Sequence, residues 1–220
     1  MIKSFISCLQ KDNYDFHKKT VILDIGSRDC CQSIEFTKTF PNSSIYAFEC
    51  NPNTLEICKK NIKGITNIKL IEGAINEYDG ECKFYPINKE KTITTWEDGN
   101  PGASSLFVAT GNYPHEKYVQ DEINIKCHRI DTVLKYELVN KVDLIWMDLQ
   151  GAELIALKSM GDMLKTVDYI YTEITHKEMY HNQVLFPELD NFLKNNNFKL
   201  LSNVTLNGWQ EDVIYKNTLL

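Results

Sequence analysis

The chain has no excess of positive charge. Its 24 Lys and Arg stand against 30 Asp and Glu, a formal net charge of −6 over 220 residues. A general nucleic-acid binder shows a basic face, so no nucleic-acid partner is expected. Long apolar runs are also missing. Met1 to Lys11 mixes Lys3, Ser4, Ser7 and Gln10 with its apolar residues, which fits neither a signal peptide nor a membrane span. There is no internal repeat and no low-complexity tract. The seven cysteines are odd in number and lack metal-type spacing: Cys30 and Cys31 are adjacent, while Cys8, Cys50, Cys58, Cys82 and Cys127 are scattered. That pattern predicts free thiols in a reducing compartment and a cytoplasmic protein. What remains is ordinary for a soluble globular chain, 43% hydrophobic and 25% charged. The length predicts one domain, 1–220, with a substantial core.

The chain is organised around Thr20-Val21-Ile22-Leu23-Asp24-Ile25-Gly26-Ser27-Arg28-Asp29. A short apolar run reads as a buried strand and ends in an acid. Gly26 then allows a tight turn where a side chain would block a ligand. Cys31 to Phe40 has helical spacing. Strand, tight turn and helix form the unit that presents a nucleotide-like ligand at the carboxyl end of a parallel sheet. A second strand, Ser44 to Glu49, ends in an acid placed to accept hydrogen bonds from both hydroxyls of a ribose. A dinucleotide fingerprint needs three glycines for a pyrophosphate. Here Gly26 stands alone, and Asp24 and Asp29 would repel that group. This argues against a nicotinamide-dependent oxidoreductase. S-adenosylmethionine (SAM), with a ribose and positive charge, fits better.

Further along, Pro52 starts a helix that Gly64 can end. Asn67 to Glu72 is a third strand, with Gly73 and Ala74 behind it leaving room for a flat ring. Strands alternating with helices imply parallel pairing. The rhythm breaks after Asn76. Glu81 to Ile87 alternates as a half-exposed strand, and the polar stretch from Asn88 to Ser105 reads as a lid over an acceptor, within an insertion around 88–120. Glu122 to Cys127 is a strand, and Ile130 to Leu134 starts a helix capped near Asp131. Val142 to Asp148 and Val167 to Glu173 are buried strands that each end in an acid. Phe186 to Asn195 is a helix. Asn197 to Val204 and Asp212 to Tyr215 read as closing strands joined through Asn207-Gly208.

Four features together resemble the FkbM family of SAM-dependent methyltransferases. They are DIGSRDC (Asp24 to Cys30), AFECNPN (Ala47 to Asn53), GASSL (Gly102 to Leu106), and RIDTVL (Arg129 to Leu134) followed by MDLQGAE (Met147 to Glu153). The likeness runs from about Val21 to Tyr215. Two departures stand out. Gln150 replaces the first Glu of the family's Glu-Gly-Ala-Glu and is given no acid role. Arg28 to Cys30 replace a second small residue, so the cofactor's amino-acid end is held differently. The resemblance implies a class I methyltransferase fold: α/β, Rossmann-like, a seven-stranded mostly parallel sheet with helices on both faces and a C-terminal antiparallel hairpin. It implies methylation of hydroxyls on sugars, glycans or polyketides. Family members occur free or fused to glycosyltransferases, so a glycan acceptor and a glycosyltransferase partner are the expected associations. A non-catalytic module of the same fold is the alternative, but it would lack acids at the strand ends.

The expected cofactor contacts are Asp24, Gly26, Ser27, Arg28, Glu49, Cys50, Asn51, Gly73, Ala74 and Asp148. Methyl transfer is an in-line displacement, so alignment is the first requirement. A sugar hydroxyl is a poor nucleophile and needs a base or a metal. Asp148, Glu153, Glu173 and His176 are the catalytic candidates. Asp148 and Glu173 end adjacent strands and are expected, with His176, to share Mg²⁺ or Mn²⁺. Plainer roles compete: His176 as a surface histidine, Asp148 as a helix cap, Glu153 as a surface partner of a lysine.

Overall fold

A computed structural model describes residues 2–220. The chain runs α1 (Ile2–Lys11), β1 (Thr20–Ile25), α2 (Cys31–Thr39), β2 (Ser43–Glu49), α3 (Pro52–Asn61), β3 (Ile68–Glu72), β4 (Ala74–Ile75), β5 (Gly80–Phe84), β6 (Ile123–His128), α4 (Ile130–Tyr136), β7 (Leu144–Met147), α5 (Glu153–Ser159), β8 (Tyr169–Thr175), α6 (Phe186–Asn195), β9 (Phe198–Leu200) and β10 (Gln210–Asn217). Seven strands form one sheet in the order β3-β2-β1-β7-β8-β10-β9. Five run parallel, and β10 pairs antiparallel with both β8 and β9. This is the expected class I methyltransferase fold.

Each central strand has a reason to be there. β1 is rich in β-branched residues and is almost wholly buried. Alternation sends Leu23 and Ile25 to one face and Ile22 to the other. The first face packs against α4, α5 and α6 through Leu134, Leu157 and Leu193. The second packs against α1 and α2, where Phe5, Phe36, Trp146 and Tyr171 meet. Trp146 and Tyr171 stack face to face at 3.7 Å between ring centroids, with Phe5 edge-on to both. Phe5 is fully buried, and truncating such a side chain to Ala costs about 3–5 kcal/mol.

The strand order reverses between β1 and β7, since β2 lies on one side of β1 and β7 on the other. Ligands bind outside the carboxyl ends at such a reversal. The same alternation decides which residues reach that edge. Asp24 follows Ile22, Glu49 follows Ala47, Asp148 follows Trp146, and Glu173 follows Tyr171, each two residues on. All four acids therefore share the α1/α2 face of the sheet.

Two local expectations are corrected, and two strands find a place of their own. Asn207-Gly208 is not a tight hairpin turn. β9 stops at Leu200 and β10 begins at Gln210, and residues 201–209 form an irregular connection with Leu206 at φ 56°. Asp131 does not cap α4: the N-cap is Arg129, and Asp131 pairs with the Arg129 guanidinium instead. The strands near 81–87 and 122–127 do not join the main sheet. They form a small second sheet, β4-β6-β5. β4 continues the chain directly beyond β3, and Ala74, Cys82 and Cys127 pack between its strands.

Candidate active site

A cleft opens at the β1/β7 reversal and encloses about 550 Å³ of unfilled space including its mouth. Gly26, Arg28, Glu49, Cys50, Asn51, Ala74 and Asp148 line it, seven of the residues expected to touch the cofactor. The turn after β1 is held by Gly26 and Ser27, whose N–H groups both donate to the Phe48 carbonyl at 3.0 Å. Gly26 has φ +87°, and a Cβ there would stand 2.0 Å from the Asp148 carbonyl oxygen, so only glycine fits.

Glu49 is nearly buried, and its carboxylate organises the loops around it. Oε2 accepts from the Arg28 N–H at 2.6 Å, and Oε1 accepts from the N–H groups of Cys50 at 2.8 Å and Asn51 at 2.7 Å. Burial pushes its carboxyl up, and those three N–H donors pull against that. Each carboxylate oxygen has two lone pairs, so Oε2 keeps capacity for a ligand hydroxyl.

The stretch from Tyr85 to Gln120 closes one side. It is pinned by bridges at Tyr85–Ser105, Ile87–Gln120, Ile93–Lys117 and Ala109–Tyr180. The Gly102–Leu106 motif supplies the fastening. Ser104 Oγ accepts from Asn51 Nδ2 and from the Ile87 N–H, each at 3.0 Å. Ser105 Oγ donates to the Gln150 carbonyl at 2.8 Å. Arg28 reaches out to Asp98 at 2.6 Å and lies over the Trp96 ring at 5.2 Å. The motif thus bridges the loops after β2 and β7 across the cleft.

Three expected cofactor contacts stand outside the cleft lining. Asp24 is buried beneath it, accepting from Ser33 Oγ at 2.5 Å, with Oδ1 unpartnered. Burial raises its carboxyl to about 6 against the hydrogen bonds of Ser33 and Ser27. Ser27 is fully buried and its hydroxyl donates back to the Asp24 carbonyl. Gly73 is needed for His128 instead, whose ring would meet an added Cβ at 2.8 Å. The apolar lining from Phe84, Ile75 and Leu149 carried no sequence signal, because it depends on how the second sheet folds against the first.

The acid pair is brought together, but not as expected. Gln150 Nε2 donates to Asp148 Oδ1 at 2.7 Å and to Glu173 Oε2 at 3.1 Å. Gln210 Nε2 donates to Glu173 Oε1 at 2.5 Å. Asp148 is open to the cleft, yet loss of bulk water around it raises its carboxyl, and Asp212 adds to the rise. Glu173 is pushed well up by burial and by Asp148, Glu153 and Asp212. His176 turns away from both. Its Nε2 lies 2.6 Å from Glu211 Oε1, and its side chain is only 7% exposed, so it is neither the third ligand nor a surface histidine. Among the described residues no group of three or more His, Cys, Asp or Glu side chains is placed to hold a metal ion. The residues present do not fit the expected Mg²⁺ or Mn²⁺ set: an amide nitrogen stands between the two carboxylates, and its N–H groups repel a cation.

The two plainer roles also fail. α5 begins at Glu153 behind Ala152, with no side-chain cap, so Asp148 caps nothing. Glu153 is buried rather than paired with a surface lysine. Its Oε1 accepts from the Leu149 N–H at 2.8 Å and the Gly151 N–H at 3.3 Å. Burial raises its carboxyl to about 7 despite these donors. Its part is to hold the turn through Gln150 (φ 51°) and Gly151 (φ 100°) that aims the Gln150 side chain.

Beyond the acid pair runs a ladder of rings. Tyr180 stacks on Tyr118 at 6.2 Å, Tyr118 on Tyr113 at 6.0 Å, and Tyr113 meets Trp209 edge-on at 5.6 Å. Tyr180 is buried, and the other three are half-exposed. No sequence signal marks Tyr118 and Trp209, since no local pattern links the insertion to the β9–β10 connection.

The sheet order and a cleft at its reversal define a class I SAM-dependent methyltransferase. Two solved structures share the fold: the Methanococcus jannaschii fibrillarin pre-rRNA processing protein (TM-score 0.53, 13% identity, covering 91% of this chain and 67% of that one) and Aeropyrum pernix fibrillarin with natively bound SAM (TM-score 0.52, 13% identity, 91% and 67%). The chain belongs to the FkbM methyltransferase family, whose domain, Methyltransferase FkbM domain, matches residues 21–200. It is similar to the 2-O-methyltransferase NoeI of Sinorhizobium fredii, with 26% identity over 220 residues, covering 99% of this chain and 85% of that protein. A Beauveria bassiana protein named Methyltransferase 1 is 23% identical over 154 residues, 67% of this chain and 61% of that protein. No helix among the described residues is long and apolar enough to cross a membrane.

Proposed function

We propose that the chain methylates a sugar hydroxyl of a glycan or glycoconjugate. The observation that carries this reading is the ladder Tyr180–Tyr118–Tyr113–Trp209 beside Asp148 and Glu173. Glu173 adds to the upward push on both the Tyr113 and Tyr118 hydroxyls, so the acid lies near the rings. Aromatic faces suit the C–H faces of a pyranose, and a carboxylate suits its hydroxyls. The similarity to a 2-O-methyltransferase supports oxygen as the accepting atom.

Bound SAM would supply a methyl carbon on a sulfonium, so that a new O–CH₃ bond forms as the C–S bond breaks and neutral S-adenosylhomocysteine (SAH) departs. Glu49 would hold the ribose hydroxyls, and the turn at Gly26 would admit the ligand backbone-close. The acids of the Asp148 region would favour positive charge at the sulfur. The Asp148–Glu173 pair would take the hydroxyl proton. A carboxyl raised above its ordinary value is a better proton acceptor near neutral pH than an unperturbed one. The 88–120 insertion would cover the acceptor and exclude water.

The test is transfer of labelled methyl from SAM to a panel of neutral mono- and oligosaccharides, with phenolic and polyketide-like alcohols alongside. Mass spectrometry locates the product. O-methylated sugar is the expected result, and transfer to phenols alone would overturn the sugar reading.

A further inference from the structure

We propose that Gln150 occupies the place of a cation between Asp148 and Glu173 and holds them as a metal-free, proton-sharing pair. The amide carries two N–H protons, and the geometry gives one to each carboxylate, at 2.7 and 3.1 Å. That leaves no donor for a further ligand and no room at the midpoint for an ion.

The side chain is fixed at both ends. Its backbone sits in the left-handed region at φ 51°, in a turn held by Glu153. Its carbonyl accepts from Ser105 Oγ. Its Oε1 lies 3.0 Å from Tyr180 Oη, a hydroxyl also within 2.8 Å of the Ala103 carbonyl. Tyr180 therefore sits on the oxygen end of the amide and leaves the nitrogen end to the acids. Glu173 is oriented from its other side by Gln210.

The charge balance separates an amide from a metal. A divalent cation would let both carboxyls ionise. A neutral amide supplies only partial charge, so two carboxyls this close keep one proton between them. Glu153, Asp212 and Glu116 add negative charge to the surroundings, while at Asp148 the Gln150 hydrogen bonds and the Arg28 charge oppose it. Gln150 touches neither the reacting atoms nor the cofactor cleft, so it is a positioning residue. The acceptor assigned to the pair rests on the sugar reading above, whereas the clamp rests on geometry alone.

Manganese is the probe, read by electron paramagnetic resonance on the full chain with SAH present. Wild type should leave the spectrum of the free aquo ion. Gln150→Glu places a third carboxylate at the midpoint and should bind roughly one Mn²⁺ per chain, and adding Glu173→Gln should abolish that binding. Gln150→Met, which keeps size but removes the amide, should lower kcat at least about tenfold while the KM for SAM stays within about twofold. Manganese bound by wild type and lost in Glu173→Gln would overturn the proposal. So would full turnover in Gln150→Met, or a Gln150→Glu protein that melts and binds SAH like wild type but takes up no metal. A chain that behaves as stated toward manganese but methylates no sugar would leave the clamp standing and overturn the acceptor reading alone.

Discussion

Gly26 lies so close under Asp148 that a Cβ at Gly26 would come within 2.0 Å of the Asp148 carbonyl oxygen. The turn after β1 and the acid after β7 are therefore set by one contact. Asp148 N–H also donates to the Ile25 carbonyl at 3.0 Å, which continues the β1–β7 register to the cleft edge. A shift of the turn would move the proposed base with it, and transfer geometry tolerates little of that.

Glu49→Ala should weaken SAH binding at least about tenfold, from the loss of ribose hydrogen bonds to a charged acceptor worth about 1.5–3 kcal/mol. Titration calorimetry reads it. An unchanged affinity would remove Glu49 from the ribose site.

Glu173→Gln should lower kcat by about 10²–10⁴ with SAH affinity retained, as for the loss of a positioned general base. In wild type the pair accepts a proton only when ionised, and both carboxyls lie above their ordinary values. Turnover should therefore rise with pH, with a midpoint above the usual carboxylate range near about 4. A flat pH–rate profile from acid to neutral would exclude the pair as base.

Asp24 tests burial without touching the cleft. Its folded-state value is raised, so the unfolded chain holds fewer protons as pH climbs, and stability falls between 3.8 and about 6. Over that window wild type should lose about 3 kcal/mol relative to Asp24→Asn, which has no charge to desolvate. Urea unfolding of both proteins at pH 4 and pH 7 compares them. Parallel stability curves would show that Asp24 is not desolvated as the structure has it.

Asp98→Ala should loosen the proposed lid without unfolding the protein. The Arg28–Asp98 pair is half-exposed at both ends, so its loss should shift the melting temperature by less than about 4 °C. Hydrogen exchange at Gly99 to Ser104 should quicken, and the KM for SAM should rise because Arg28 lines the cleft. Exchange indistinguishable from wild type would show that the pair does not fasten the lid.

Much of the fold was legible because its signals are local. β1, β2, β3, β7 and β8 are short apolar runs ending in turn residues, and α3 carries its own Asn51 cap and Pro52. The small second sheet was not legible as separate. Its strands have the same alternation as any half-buried strand, and nothing local says which sheet a strand joins. Asn207-Gly208 misled for a similar reason. The dipeptide favours a tight turn, but β10 extends to Gln210 to pair with β8 through Gln210–Thr175, and tertiary pairing outweighed local preference.

The sequence by itself determined the strand–glycine–helix unit at Asp24 to Cys31, the acid that ends β2 at Glu49, the acid just beyond β7 at Asp148, and the acid near the carboxyl end of β8 at Glu173. Each follows from residues a few positions apart, where covalent geometry limits the outcomes. Only the tertiary structure decided what those acids meet. His176 follows Glu173 by three residues, yet it faces Glu211 on β10. Gln150, given no acid role on the sequence, stands between Asp148 and Glu173, and its contact with Glu173 spans 23 residues of chain. Side-chain direction at a strand end depends on the loop beyond it and on the neighbouring strand's register. Those are set by packing across the whole sheet, which no local run of residues contains.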